Sequence, residues 1–216
     1  HLQRCITGES QPVRLPSCPV YLDMLLGGQE LWGGIVPRIG RKHIQVVAIE
    51  GFPMESYPGM LSLLTDFDLD YRWSNRFIFL DSPAATSHMN VFVRKWQQKQ
   101  QGLFDYLLEK PNPRLDQDAV NMTEDAEDAI TRIKSRRVGA GYYTSVVVLM
   151  DEDRQAVEAA ALRLDKAIRN LGFASRTESI NTLDAFFGSL PGHGNENVRR
   201  PLITTQNLAD MLPTNT

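Results

Sequence analysis

KHIQVVAI, Lys42 to Ile49, is a β-branched run that Gly51 and Pro53 bring to a stop. An apolar run of this length between turn residues reads as a buried strand. YRWSNRFIFL, Tyr71 to Leu80, ends at Asp81-Ser82-Pro83 and reads as a second strand. YTSVVVLM, Tyr143 to Met150, reads as a third, and its VVVLM core is too apolar for an exposed edge. Phe173 to Arg176 makes a fourth, weaker strand.

Helical spacing fills the gaps between these runs. Pro58 and Gly59 open a short helix that runs to about Phe67, since proline is tolerated in a first turn. After the third strand, Asp151 or Asp153 can cap a helix that buries Val157, Ala160, Leu164, Ile168 and Leu171 and stops at Gly172. Ile180 to Phe187 forms a last short helix, and Tyr21 to Leu26 an early one halted by Gly27 and Gly28. Two more helices are predicted between the second and third strands. Ser87 to Leu108 carries Met89, Phe92, Trp96, Leu103 and Leu107 on one side, and Pro111 and Pro113 break it. Gln117 to Arg137 carries Ala119, Met122, Ala126, Ile130 and Ile133. It begins acidic, with Asp118, Glu124, Asp125, Glu127 and Asp128, and ends basic, with Arg132, Lys134, Arg136 and Arg137. That order complements the helix dipole.

Strand, helix, strand, two inserted helices, strand, helix, strand is the order of an α+β, ferredoxin-like split βαβ repeat. Such a fold lays an antiparallel sheet on one side and helices on the other. An α/β doubly wound parallel sheet is the alternative that the same alternation permits.

Composition bounds the function only broadly. Hydrophobic residues make up 42% and charged residues 23%, a soluble globular balance. The longest apolar run, Val146 to Met150, is far short of the ~20 residues that cross a bilayer. HLQRCITGES lacks a basic region followed by an apolar one, so no signal peptide is expected; a start at histidine suggests a trimmed chain. A net charge of −3 argues against a general nucleic-acid binder. Cys5 and Cys18 make no disulfide framework and read as reduced thiols.

Catalytic motifs are not legible. A phosphate loop needs glycines that turn backbone amides toward phosphate, then a lysine and a hydroxyl. Gly34-Ile-Val-Pro-Arg-Ile-Gly40-Arg41-Lys42-His43 is one residue too long, places arginine after the glycine, and has no Ser or Thr after the lysine. His1, His43, His88 and His193 belong to no metal-binding or Cys–His spacing. No G-x-S-x-G nucleophile elbow occurs. Arg38, Arg41 and Lys42 form one basic knot and Arg132 to Arg137 another, with Trp32, Tyr71 and Trp73 available to stack; solvated surface is the plainer reading.

GSLPGHGNENVRRP, Gly188 to Pro201, is the one unusual loop. His193 between glycines reads as a loop-shaping hydrogen bonder. Arg199 and Arg200 are arranged either to clamp an anionic partner or to pair with carboxylates at a domain junction.

Several strings together carry a resemblance: YLDMLLGGQELWGGIVPRIGRKHIQVVAIEGFP (Tyr21 to Pro53), YRWSNRFIFLD, VRKWQQKQQG (Val93 to Gly102) and FFGSLPGHGNENVRRPLITTQNLADMLP (Phe186 to Pro213). They resemble the amino-terminal region of TrbE-type conjugal transfer ATPases, the VirB/CagE-related motors of type IV secretion. In that family the region precedes the ATPase core, and none of the family's ATP-site residues has a counterpart here. The resemblance therefore implies a non-catalytic domain, with no cofactor of its own and ATP and magnesium serving the parent. It implies as partners the parent's own C-terminal ATPase domain, inner-membrane components of the secretion system and further copies of the chain. The implied setting is cytoplasmic, peripheral to the bacterial inner membrane. DNA is the less favoured partner.

On this reading residues 1–200 form the accessory domain and 201–216 begin the linker toward the motor. Leu202, Ile203, Leu208, Met211 and Leu212 make an apolar tail with no evident partner in the chain. Gly188, Pro191, Gly192, His193, Asn197, Arg199, Arg200 and Pro201 are the interface or linker candidates.

Overall fold

Strand β3, Lys42–Gly51, lies between two antiparallel neighbours. On one side is β5, Ala140–Asp151, in register from His43 opposite Asp151 to Ile49 opposite Ser145. On the other is β6, Ala174–Thr177, from Val47 opposite Thr177 to Gly51 opposite Ala174. Beyond β5 runs β4, Tyr71–Leu80. Numbered by their order in the chain, the four strands stand fourth, first, third, second, which is the split βαβ arrangement expected from the sequence. Since β3 and β5 are antiparallel, the doubly wound parallel alternative does not hold.

This computed structural model describes residues 1–12, 14, 16–53, 55–91, 94, 128–135 and 137–212. They divide into two compact units. The first takes the described residues of His1–Arg76, Tyr143–Pro201 and Met211–Thr216; the second takes those of Phe77–Tyr142 and Leu202–Asp210.

In the first unit, β3 is buried on both faces, which explains the unbroken apolar text of its middle. Ile44, Val46 and Ala48 pack with Val146 and Val148 against Ala185 and Phe186 of a short helix, α5, Thr182–Gly188. The opposite face belongs to α4, Arg154–Asn170, for Ser175, which pairs with Ile49, hydrogen-bonds Asp165 of that helix at 2.7 Å. Helices therefore cover both faces here, one more than the single helical layer expected. α4 starts where its cap predicts: the Asp153 carboxylate accepts the Gln155 amide at 2.9 Å. It ends at Gly172, whose φ of 88° is the left-handed stop glycine supplies.

Two short strands extend the sheet beyond β3: β1, Leu31–Trp32, and β2, Arg38–Ile39. Ile39 faces Lys42, so Gly40 and Arg41 form a two-residue hairpin loop, and Gly40 takes the positive φ such loops require. The remaining helices of this unit are slight. α1 is Leu2–Thr7, and the helices expected over Tyr21–Leu26 and Pro58–Phe67 shrink to 3₁₀ turns, Leu22–Met24 and Ser62–Asp66.

The second unit holds helical residues 82–91 (α2) and 128–134 (α3). Ala85 and Met89 of α2 meet Ile130 and Ile133 of α3 and Ala140 in a small core. Phe92, Trp96, Leu103, Leu107, Ala119, Met122, Ala126 and most of the acidic cluster lie outside the described residues. The apolar tail read as unpartnered is in fact folded. Leu202–Thr204 forms β7, paired with Ala140, Gly141 and Tyr142 of β5, and Thr205–Met211 forms α6. Ile203 and Met211 are buried. The pairing spends the backbone donors and acceptors that a free linker would leave to water.

Candidate functional site

The loop from Gly188 to Pro201 is shaped first by its own turn. Pro191 and Gly192 occupy the middle of a β-turn closed by the His193 amide donating to the Leu190 carbonyl at 3.2 Å. Proline fixes the first central φ, and Gly192, at φ 82°, accepts the second. His193 meets the Glu196 carboxylate through Nε2 and lies 6.1 Å from the Phe187 ring. Both contacts are local to the loop and the end of the helix before it.

Two arginines of β4 then bind the loop from beneath. Arg76 donates to the carbonyls of Gly188, His193 and Glu196, the last at 2.8 Å. Arg72 donates to the Ser189 carbonyl at 2.6 Å and to the Cys5 carbonyl at 3.4 Å, over the face of Phe186. Burial pushes the Arg72 pKa below the ordinary guanidinium value, with Cys5 opposing. Guanidinium groups suit this task because each offers several donors in a fixed fork and so holds two or three carbonyls at once. Thr144 donates to the side-chain carbonyl of Asn197. The Asn197 amide nitrogen is buried with no hydrogen-bond partner among the described residues.

The two arginines of the motif part company. Arg199 forms a bidentate pair with Glu178, Nε to Oε1 at 2.8 Å and Nη2 to Oε2 at 3.2 Å, and its Nε stands 3.6 Å from Glu50. Glu178 is only 2% exposed, and its amide donates to the Val46 carbonyl of β3. The hydrogen bonds with Glu178 raise the Arg199 pKa against the opposing effect of burial. Of the two roles left open for it, Arg199 takes the pairing with carboxylates of its own chain. Arg200 beside it is exposed, and the Pro201 carbonyl accepts the Tyr143 amide at 2.9 Å.

A second feature was not anticipated. Between Val20 and Ile35 the side chains of Val20, Tyr21, Leu22, Met24, Leu31, Trp32 and Ile35 are all exposed, Tyr21 by 81% and Ile35 by 67%. Their backbone is nevertheless tied down. Gln3 both donates to and accepts from the backbone of Gly27, Gln29 reaches Glu9 at 3.2 Å, and Thr182 donates to the Ile35 carbonyl. Trp32 is half exposed, with the Arg38 guanidinium 5.4 Å from its ring centroid. These apolar side chains stand exposed beside a backbone held at Gly27 and Ile35.

Residues 1–199 match the CagE, TrbE, VirB family, described as a component of the type IV transporter system. The chain belongs to that family. It is 44% identical over 211 residues to a probable conjugal transfer protein TrbE of Sinorhizobium fredii, covering 98% of this chain and 32% of that protein. It is likewise 44% identical to conjugal transfer protein TrbE of Rhizobium radiobacter, of which it covers 26%. A more distant relative is the type IV secretion system protein PtlC of Bordetella pertussis, 24% identical over 97% of this chain and 24% of its own length. The chain thus spans 24% to 32% of the length of these relatives. Among its described residues no helix is long and apolar enough to cross a membrane.

Proposed function

We propose that this chain is the non-catalytic amino-terminal domain of a conjugation ATPase. Its work is to dock the motor to inner-membrane components of the type IV secretion channel. ATP and magnesium then serve the portion of the parent that lies outside this chain, and oligomerisation of the parent brings further copies of the domain together. The exposed apolar strip from Val20 to Ile35 carries the reading. A buried aromatic or aliphatic anchor contributes most to protein association, and this strip offers Tyr21, Trp32 and Ile35 on a backbone already ordered, so little entropy is lost on docking.

The DNA-guiding alternative finds less support, because several of the chain's arginines are engaged within it. Arg41 pairs with Glu152 at 2.6 Å, Arg199 with Glu178, and Arg72 and Arg76 with loop carbonyls.

The test is a triple substitution, Tyr21→Ser, Trp32→Ser and Ile35→Ser, in the full-length parent co-expressed with its own tagged inner-membrane partners. Co-purification falling about ten-fold or more is expected, together with lower plasmid transfer and unchanged ATP hydrolysis by the isolated motor. Undiminished co-purification refutes docking through this strip. Tight, salt-sensitive capture of labelled single-stranded DNA by the wild-type chain supports the other reading.

A further inference from the structure

Arg199 is the sole residue other than glycine with a positive φ among the described residues, at 52°. A branched or long side chain avoids this region because Cβ crowds the neighbouring carbonyl, so something must hold Arg199 there. The holding groups are visible. Its guanidinium is clamped in a bidentate pair on Glu178, nearly inaccessible at 2% exposure, and also approaches Glu50, which binds Arg176 at 3.3 Å.

The rest of the loop is attached in a similarly polar way. Ser189, His193 and Glu196 give their carbonyls to Arg72 and Arg76, and Pro201 gives its carbonyl to Tyr143. Beneath lies an apolar face, where Leu190 and Val198 of the loop pack with Phe187 against Ile44, Val46, Val148 and Phe186. Direction-dependent polar bonds hold the cover, and a greasy surface lies below it.

We infer that Ser189–Pro201 is a strap, latched by Arg199 on Glu178 and Glu50, whose release uncovers the part of the apolar core that Leu190 and Val198 cover beside α5. Opening begins at Arg199 and proceeds toward the Pro191–Gly192 turn. A competing anion that takes the Arg199 guanidinium from Glu178 is the chemistry that would trigger it.

Hydrogen exchange read by mass spectrometry on the 216-residue chain tests this. Arg199→Gly removes the latch and leaves a residue at ease with φ near 52°, so the fold has no new strain to absorb. The amides of His193 and Tyr143, which close onto Leu190 and Pro201, should exchange at least ten-fold faster, while those of Val157 to Ile168 in α4 keep their wild-type protection. Glu178→Gln, which retains one acceptor, should give a smaller increase in the same segments. Arg199→Lys, which keeps the charge and loses the bidentate geometry, should fall between wild type and glycine. Unchanged exchange in the strap of Arg199→Gly overturns the proposal, because packing of Leu190 and Val198 would then hold the strap alone. Equal acceleration in strap and α4 overturns it as well, since the pair would then be a support of the whole unit and not a latch.

Discussion

A Cβ placed on Gly188 would stand 2.7 Å from the backbone carbonyl oxygen of Glu196. Both residues are also bound by the same side chain, since Arg76 donates from Nη2 to the Gly188 carbonyl and from Nη1 to that of Glu196. The absence of a side chain at Gly188 is therefore what lets the returning loop come within reach of Arg76. Gly188→Ala should push Glu196 outward and weaken both bonds, lowering unfolding stability by about 1–3 kcal/mol in urea titration. Gly194→Ala is the matched control. Nothing lies within 4 Å of a Cβ at Gly194, so a change inside about 0.5 kcal/mol is expected. Equal losses in the two variants would contradict the close-approach argument.

Gly141 presents the same logic in the second unit. A Cβ there would clash with the Ile78 carbonyl oxygen and stand 2.6 Å from the Phe77 ring. A backbone oxygen on a neighbouring strand cannot rotate aside as a flexible side chain does. Gly141→Ala should therefore force β4 and β5 apart locally and speed amide exchange at Ile203, whose strand pairs with Gly141. Exchange in α4 should stay as in the wild type.

How much of this was readable beforehand depends on the range of the interaction. β3, β4 and α4 were legible because their patterns are local and long: a buried run, a ten-residue strand, and an apolar stripe between an aspartate cap and a glycine stop. β1, β2 and β7 are two or three residues each, too short for any periodicity to register. The tail looked unpartnered because Leu202 to Thr204 meets Ala140 to Tyr142, a pairing that nothing local to either segment announces. The loop itself stood out by composition. The roles of its members did not, since Glu178 lies 21 residues from Arg199, and Arg76 is 112 residues from Gly188. One signal was available for β4: Arg72 and Arg76 share a parity opposite to that of Tyr71, Trp73, Phe77 and Phe79, which points two cations at one face.

Tyr143 yields a pH prediction whose sign can be worked through. Its side chain is fully buried and its hydroxyl donates to Asn75 Oδ1 at 2.7 Å. Burial pushes its pKa up to about 12, since the phenolate would be desolvated there. In the unfolded chain the phenol titrates near 10. Below pH 10 both states keep the proton, and the contribution of Tyr143 to stability is constant. Between pH 10 and 12 only the unfolded state releases it, so unfolding is favoured progressively, by about 2–3 kcal/mol across the interval. The measurement is the difference in unfolding free energy between wild type and Tyr143→Phe, in which every ionisation common to the two chains cancels. That difference should be flat from pH 7 to 10 and should then decline, as the phenylalanine variant has no proton to lose. A difference that stays level to pH 12 would mean that the phenol ionises within the folded chain at its ordinary pKa, and that Asn75 and the surrounding core do not exclude the charge.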